Sequence, residues 1–200
     1  MDRKAPTDHA IQDILAERWS PYAFADRDVD DGDLRSLFEA ARWAASSYNE
    51  QPWSYVVARR ADAEAYACVL SCLVEANQAW AKAAPVLALG VTRTRFTRND
   101  KPNKAAAHDL GLASGNLSAE ATARGLVVHQ MIGIDPERAR SEFSIPDHSD
   151  ALTALAIGYA GDPQSLDEAM RPRDTSPRSR KTLAEFVYSA AWGEAAPFVD

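Results

Sequence analysis

The sequence predicts an α+β sandwich: a central mixed or antiparallel sheet with helices on both faces. Three observations carry that expectation. Short apolar runs of strand length alternate with stretches whose apolar residues recur every three to four positions. The run 84–91, APVLALGV, is apolar almost throughout, as a buried strand should be. No strand is followed by G-x-G-x-x-G and no P-loop is present, which weighs against a doubly wound nucleotide-binding unit.

Taken in order, residues 8–17 read as a short amphipathic helix, with Ile11, Ile14 and Leu15 on one side. An extended loop, SPYAFADRDV, leads to a helix capped near Asp30 or Asp31, where carboxylates suit the positive helix end. Leu34, Leu37, Phe38, Ala41 and Ala45 give this helix its apolar stripe. It stops at the turn ASSYNEQPW, after which 53–58 reads as a strand. Residues 62–75 predict a helix, 77–82 a short helical piece, and 84–91 the buried strand. The charged stretch TRTRFTRNDKPNK then opens a long helix over 104–124. Leu110, Ala113, Leu117 and Ala121 form its apolar stripe; Ala107, Gly111, Gly115 and Ser118 form a second stripe of small residues that admits close packing, within one subunit or against another. Gly125 caps that helix. A strand over 126–134, a helix over 135–143 with Pro136 in its first turn, and a strand over 151–160 follow.

The 200 residues suit a single domain, 1–200, whose last part, 161–200, is an extension holding four prolines and a basic cluster. A hydrophobic fraction of 46% and a charged fraction of 26% match an ordinary globular chain. The net charge of −7 argues against nucleic acid as a main partner. No apolar run follows Met1-Asp2-Arg3-Lys4 and none is long enough to span a bilayer, so neither a signal peptide nor a membrane partner is expected. Cys68 and Cys72, four apart, read as reduced core thiols. These features together predict a cytoplasmic protein.

Familiar catalytic sets are missing. His9, His108, His129 and His148 show no zinc-ligand spacing, and there is no G-x-S-x-G elbow. Asp109 and Glu120 share a helix, yet nothing marks them as an acid–base pair. An enzyme built from this chain would leave the hard step to a cofactor. Two basic clusters lie at opposite ends of the acidic chain. ERWSPYAF places Arg18 two residues before Ser20, on one side of an extended segment, so guanidinium and hydroxyl can grip one anion. RPRDTSPRSRK supplies Arg171, Arg173, Arg178, Arg180 and Lys181, and the arginine fork suits phosphate. The turn adds Ser46, Ser47, Asn49 and Gln51, short polar groups of the kind that meet the edge of a planar heterocycle. Each feature taken alone reads more readily as a solvated surface or a self-capped turn.

Together the pieces resemble the FMN-dependent nitroreductase family over nearly the whole chain. The motifs are ERWSPYAF, LFEAARWAASSYNEQPWSYVV, NQAWAKAAPVLAL, AAAHDLGLASGNLSAEATARGLVVHQMIGID, LTALAIGYAGD and RSRKTLAEFVY. The resemblance implies a three-layer sandwich and a homodimer with FMN at the subunit interface, the C-terminal extension reaching the partner. It assigns Arg18 and Ser20, with Trp19 and Tyr22 in the same motif, to the FMN phosphate from one side, and Arg178 and Arg180 from the other. Ser46, Ser47 and Asn49, with Gln51 a weaker candidate, would meet an isoalloxazine held mainly by the other subunit. Asn77 would stand near the ring or ribityl chain, and Gly125 and Leu126 near N5. No catalytic side chain is implied: NADH or NADPH delivers hydride to flavin N5, and a small acceptor such as a nitroaromatic or quinone takes the electrons. Specialised branches that dehalogenate, desaturate or fragment flavin, and a non-catalytic flavin-binding protein, are the alternatives. Two departures stand out. Tyr22 occupies a position that is often basic, a deficit that Arg173 or Lys181 would have to make good. Ala45 occupies a position that is often proline.

Overall fold

The computed structural model describes residues 3–199; Met1, Asp2 and Asp200, which the domain expectation also spans, lie outside the described residues. The helices are α1 (Asp13–Glu17), α2 (Asp31–Arg42), α3 (Ala63–Ser71), α4 (Glu75–Ala81), α5 (Ala106–Ala123), α6 (Pro136–Phe143) and α7 (Arg171–Thr175). The strands are β1 (Trp53–Arg59), β2 (Val86–Arg93), β3 (Val127–Met131) and β4 (Ser149–Gly158). They form one antiparallel sheet in the order β1-β2-β4-β3.

Side-chain alternation along the strands builds two cores. Leu87, Leu89 and Val91 of β2 face Tyr66 and Val69 of α3 and Trp80 of α4. Val86 and Ala88 face the other way, where Leu155 and Ile157 of β4 join Leu37 and Ala41 of α2 and Ala113, Leu117 and Ala121 of α5. The result is a three-layer sandwich, and it explains why β2 carries no polar interior residue until Thr92, whose hydroxyl donates to the Ala106 carbonyl at 2.9 Å.

Several boundaries differ from the sequence reading for local reasons. The first helix starts at Asp13, not residue 8, because the chain before it is extended and pinned alongside by the Ala5 N–H donating to the Ala16 carbonyl. The helix expected over 62–75 ends at Ser71. Leu73 pairs in a bridge with Ile134 and the Val74 N–H donates to the Gly133 carbonyl, so a second helix starts at Glu75. The strand expected over 126–134 stops at Met131 for the same reason: 132–134 is bound to the start of α4. On α5, Ala107, Gly111 and Gly115 are exposed, but Ser118 is buried, bonded to the Ser114 carbonyl and to Gln130.

Candidate functional site

The two basic clusters meet. Arg18, Arg178, Arg180 and Lys181 line one cleft of about 510 Å3, with Thr182 and Leu15 among the other walls. Arg18 reaches it from the loop after α1, its Nη1 donating to Ser20 Oγ at 3.3 Å. Arg180 donates to the Ser179 carbonyl beside it and is otherwise exposed. Arg178 is spent differently: its guanidinium donates to the carbonyls of Arg3, Ala16 and Arg18, at 2.5, 2.8 and 2.7 Å. It is a clamp joining the two ends of the chain, and only secondarily a charge. Burial, then the neighbouring Arg180, pushes the Arg18 guanidinium below its usual value; burial, then Arg18, Arg180 and Arg3, does the same to Arg178. Clustered cations that mutually destabilise their charged forms, with donors facing one cleft, suit a multiply charged oxyanion such as a phosphate monoester.

The loop bearing Arg18 and Ser20 is set by a buried carboxylate. Asp174 of α7, fully buried, accepts the backbone N–H of Tyr22 at 2.7 Å and of Ala23 at 2.9 Å. The Tyr22 ring lies edge-on to Trp80 and to His129, at centroid separations of 5.0 and 4.6 Å. His129 Nδ1 pairs with the Pro21 carbonyl at 2.8 Å, and burial holds its imidazole below the usual histidine value. Tyr22 is therefore half-buried in an aromatic cluster, with Arg173 5.5 Å over its ring. Trp19 carries the Arg3 guanidinium over its face at 4.9 Å. Lys181, not Arg173, lines the cleft.

One turn of α4 before Trp80 stands Asn77, whose Nδ2 donates to the Gly133 carbonyl at 3.0 Å. The contact leaves no room for a side chain at 133: a Cβ there would lie 2.5 Å from Asn77 Nδ2. Gly125 and Leu126 sit at the opposite end of β3, on the order of 20 Å away by strand rise. Gly125 has φ +71 and is exposed, and Leu126 is buried under α5.

The turn 46–51 holds Tyr48, Asn49 and Gln51 at positive φ, a costly conformation outside glycine. Ser46 Oγ accepts the Gln51 N–H at 3.0 Å, and Asp109 Oδ2 accepts the Ser47 N–H at 3.0 Å. Asp109 is buried in the first turn of α5, so one carboxylate both sits at the positive helix end and fixes the turn. Among the described residues the Ser47 hydroxyl and the Asn49 side-chain amide have no hydrogen-bond partner, and Asn49 is exposed.

The nitroreductase family model matches residues 15–159. The chain belongs to the nitroreductase family. Among its relatives, this nitroreductase-family chain is 27% identical over 177 residues to a putative NADH dehydrogenase/NAD(P)H nitroreductase of Streptomyces coelicolor, covering 79% of this chain and 87% of that one. It is 37% identical over 95 residues to an uncharacterized 15.4 kDa protein of Mycolicibacterium smegmatis, covering 48% of this chain and 64% of that protein, less than two thirds of its length. A crystal structure described as an oxidoreductase containing FMN superposes with a TM-score of 0.88 at 30% identity, over 94% of this chain and 96% of that one.

Within this nitroreductase fold, then, the structure gathers Arg18, Arg178 and Arg180 at one cleft, with Ser20 bonded to Arg18, while Tyr22 packs on Trp80 of the helix that carries Asn77. Trp19, Ser20, Tyr22, Ser46, Ser47, Asn49, Gln51, Asn77, Gly125 and Leu126 are not among the residues lining that cleft. Sequence reasoning missed Asp174 and Gly133. The only sequence signal for either is an isolated acid in a basic stretch and a glycine after a strand. It noticed Asp109 only as half of a possible acid–base pair; Glu120 is instead paired with Arg124 at 2.6 Å.

Proposed function

We propose that the chain is an FMN-dependent oxidoreductase that takes electrons from NADH or NADPH and passes them to a small acceptor such as a nitroaromatic or quinone, working as a homodimer. The observation that carries this reading is the cleft in which cations from both ends of the chain face one volume with no carboxylate within ion-pair distance of Arg18, Arg178, Arg180 or Lys181 among the described residues. Family membership, and the FMN named for a structure at 30% identity, support it. The names of relatives support the nicotinamide donor.

FMN supplies reversible redox chemistry at its ring, and the chain's part is to bind and orient. Arg18 and Arg180 would grip the phosphate, with Lys181 supplying the charge that Tyr22 does not. Arg178 keeps Arg18 in place by bonding its carbonyl. Asn77 and the 132–134 turn form a rigid polar edge, since Gly133 admits the Asn77 amide and excludes a side chain. The Ser47 hydroxyl and Asn49 amide of a second copy would meet the ring. Support for the second copy comes from α5, where a Cβ added to Gly111 or Gly115 meets nothing within 4 Å, and from the exposed Phe186, Trp192 and Phe198 of the C-terminal segment. We read residues 161–200 as the extension that reaches the partner. A cytoplasmic setting accords with the two free thiols, Cys68 and Cys72.

The test is an absorbance spectrum of the purified protein followed by anaerobic titration. A flavin spectrum that bleaches with NADH or NADPH and returns with a quinone or nitroarene is expected. A protein that takes up no FMN at saturating concentration, or whose flavin neither nucleotide reduces, overturns the reading.

A further inference from the structure

A second pocket, of about 350 Å3, lies at the far side of the turn 46–51, where the start of β1, the end of β2 and the loop between α6 and β4 converge. It shares no lining residue with the arginine cleft. Its body is apolar: Val56 of β1, Val91 of β2, Phe143 at the end of α6 and Ile145 after it share one face of the sheet. Its polar rim is led by Arg93, with His148 and Ser149 beside it. Arg93 Nε donates to the Arg95 carbonyl at 3.0 Å, and among the described residues no carboxylate lies within ion-pair distance of its guanidinium. The acidic residue on the rim is Glu50, and its Oε1 is already taken by the Thr97 N–H at 2.6 Å.

Both walls are built in advance. On one side, the loop after β2 is tied to the turn: Thr97 bonds Glu50, the Phe96 ring meets Tyr48 edge-on at 5.8 Å, and Arg98 lies 3.9 Å over the Tyr48 ring. On the other, Arg140 donates to the carbonyls of Ile145, Pro146 and Ser149 at 3.0, 2.7 and 2.8 Å, which fixes the loop that turns at Ser144 with φ 51. A preformed apolar pocket with one convergent, uncompensated cation is suited to a flat apolar body ending in an anion. The arginine fork selects a carboxylate, and the Phe143 ring and the volume suit a single substituted ring.

We propose that this pocket binds a small aromatic carboxylate, with Arg93 holding the carboxylate and Phe143, backed by Val56, Val91 and Ile145, packing against the ring. Gln51 lines the pocket and belongs to the same turn as Ser47 and Asn49, so the occupant rests against the back of the turn assigned to the flavin. Binding itself does not depend on that assignment.

The probe is benzoate, with benzamide as its neutral counterpart, titrated into the purified full-length protein and followed by saturation-transfer NMR. Benzoate is expected to bind at least about tenfold more tightly than benzamide, since a charged hydrogen-bonded pair is worth that much or more. Arg93→Gln should abolish the preference and Arg93→Lys should keep part of it, which separates lost charge from lost fold. Arg180→Gln, in the other cleft, should leave benzoate binding unchanged. Equal affinity for the two probes, a preference that survives Arg93→Gln, or benzoate binding that depends on Arg180 overturns the proposal. The readout needs no flavin, so a failure of FMN binding and a failure of this pocket are told apart.

Discussion

Asp174 lies 152 residues from Tyr22 along the chain and accepts its backbone N–H at 2.7 Å, while its second oxygen takes the N–H of Ala23 at 2.9 Å. One carboxylate thus sets the loop that carries Arg18 and Ser20 and anchors the segment that carries Arg178 and Arg180. Removing it strands two N–H groups, one of them fully buried with the carboxylate. Asp174→Ala is expected to cost about 2–4 kcal/mol, read as a lower urea midpoint at unchanged slope. FMN affinity should fall with it. Asp174→Asn, able to accept only one of the two bonds, should fall between.

Arg178 and Arg180 are two positions apart and should behave differently on substitution. Arg178→Ala leaves three backbone carbonyls without their donor and should cost about 1–2 kcal/mol of stability as well as FMN affinity. Arg180 bonds only its neighbour's carbonyl, so Arg180→Ala should leave stability within about 0.5 kcal/mol and weaken FMN binding about tenfold or more. Parallel denaturation and flavin titration separate the two roles. Equal stability losses for both variants would contradict the clamp.

His129 gives the fold a pH dependence of defined sign. Burial lowers its pKa in the folded protein below the unfolded value of 6.5, against a smaller opposing effect of the Pro21 carbonyl. The unfolded chain therefore binds a proton more readily, and stability rises with pH across the interval between the two values. The contribution is fully present above about pH 7 and is lost as the pH falls below about 6.5 toward the folded value. Urea midpoints measured from about pH 5.5 to pH 8 should show this slope, and His129→Gln should flatten it.

Gly115 faces outward on α5 with open space where a Cβ would sit. Gly115→Leu should leave the folded subunit intact, and should even stabilise it by about 0.5–1 kcal/mol through helix propensity. The same change should weaken the proposed dimer, because a stripe of small residues admits a neighbouring backbone that leucine holds off. Sedimentation velocity on wild type and variant is the measurement. An unaltered dimer would move the interface elsewhere.

What could be read from the sequence was what is local. The apolar run around Leu87 and Leu89 announced a strand covered on both faces, and Asp30 announced a cap that does accept the Asp33 N–H at 2.8 Å. Pro136 and Gly125 marked helix edges correctly. The misplaced boundaries, at Ser71 and Met131, arise where one loop is fastened to another: nothing in the residues around Val74 reveals that its N–H will find Gly133. The site divides the same way. Arginine and serine spacing pointed to an anion, and the family motifs brought the two clusters together. Asp174 went unmarked and the role of Asp109 went unread because their work is to accept backbone N–H groups from remote segments, for which any nearby acid would look equally suitable in sequence.

The Arg178 clamp has a consequence for how the molecule comes apart. Its three carbonyl partners lie within the first eighteen residues, so the last forty residues and the first helix are stitched into one seam. A protease cut beyond Thr182 would trim a surface strap and leave that seam closed. A cut between Ala160 and Asp174, where most residues are exposed, would sever the chain yet leave the far fragment held to the first helix and its following loop by Asp174 and Arg178.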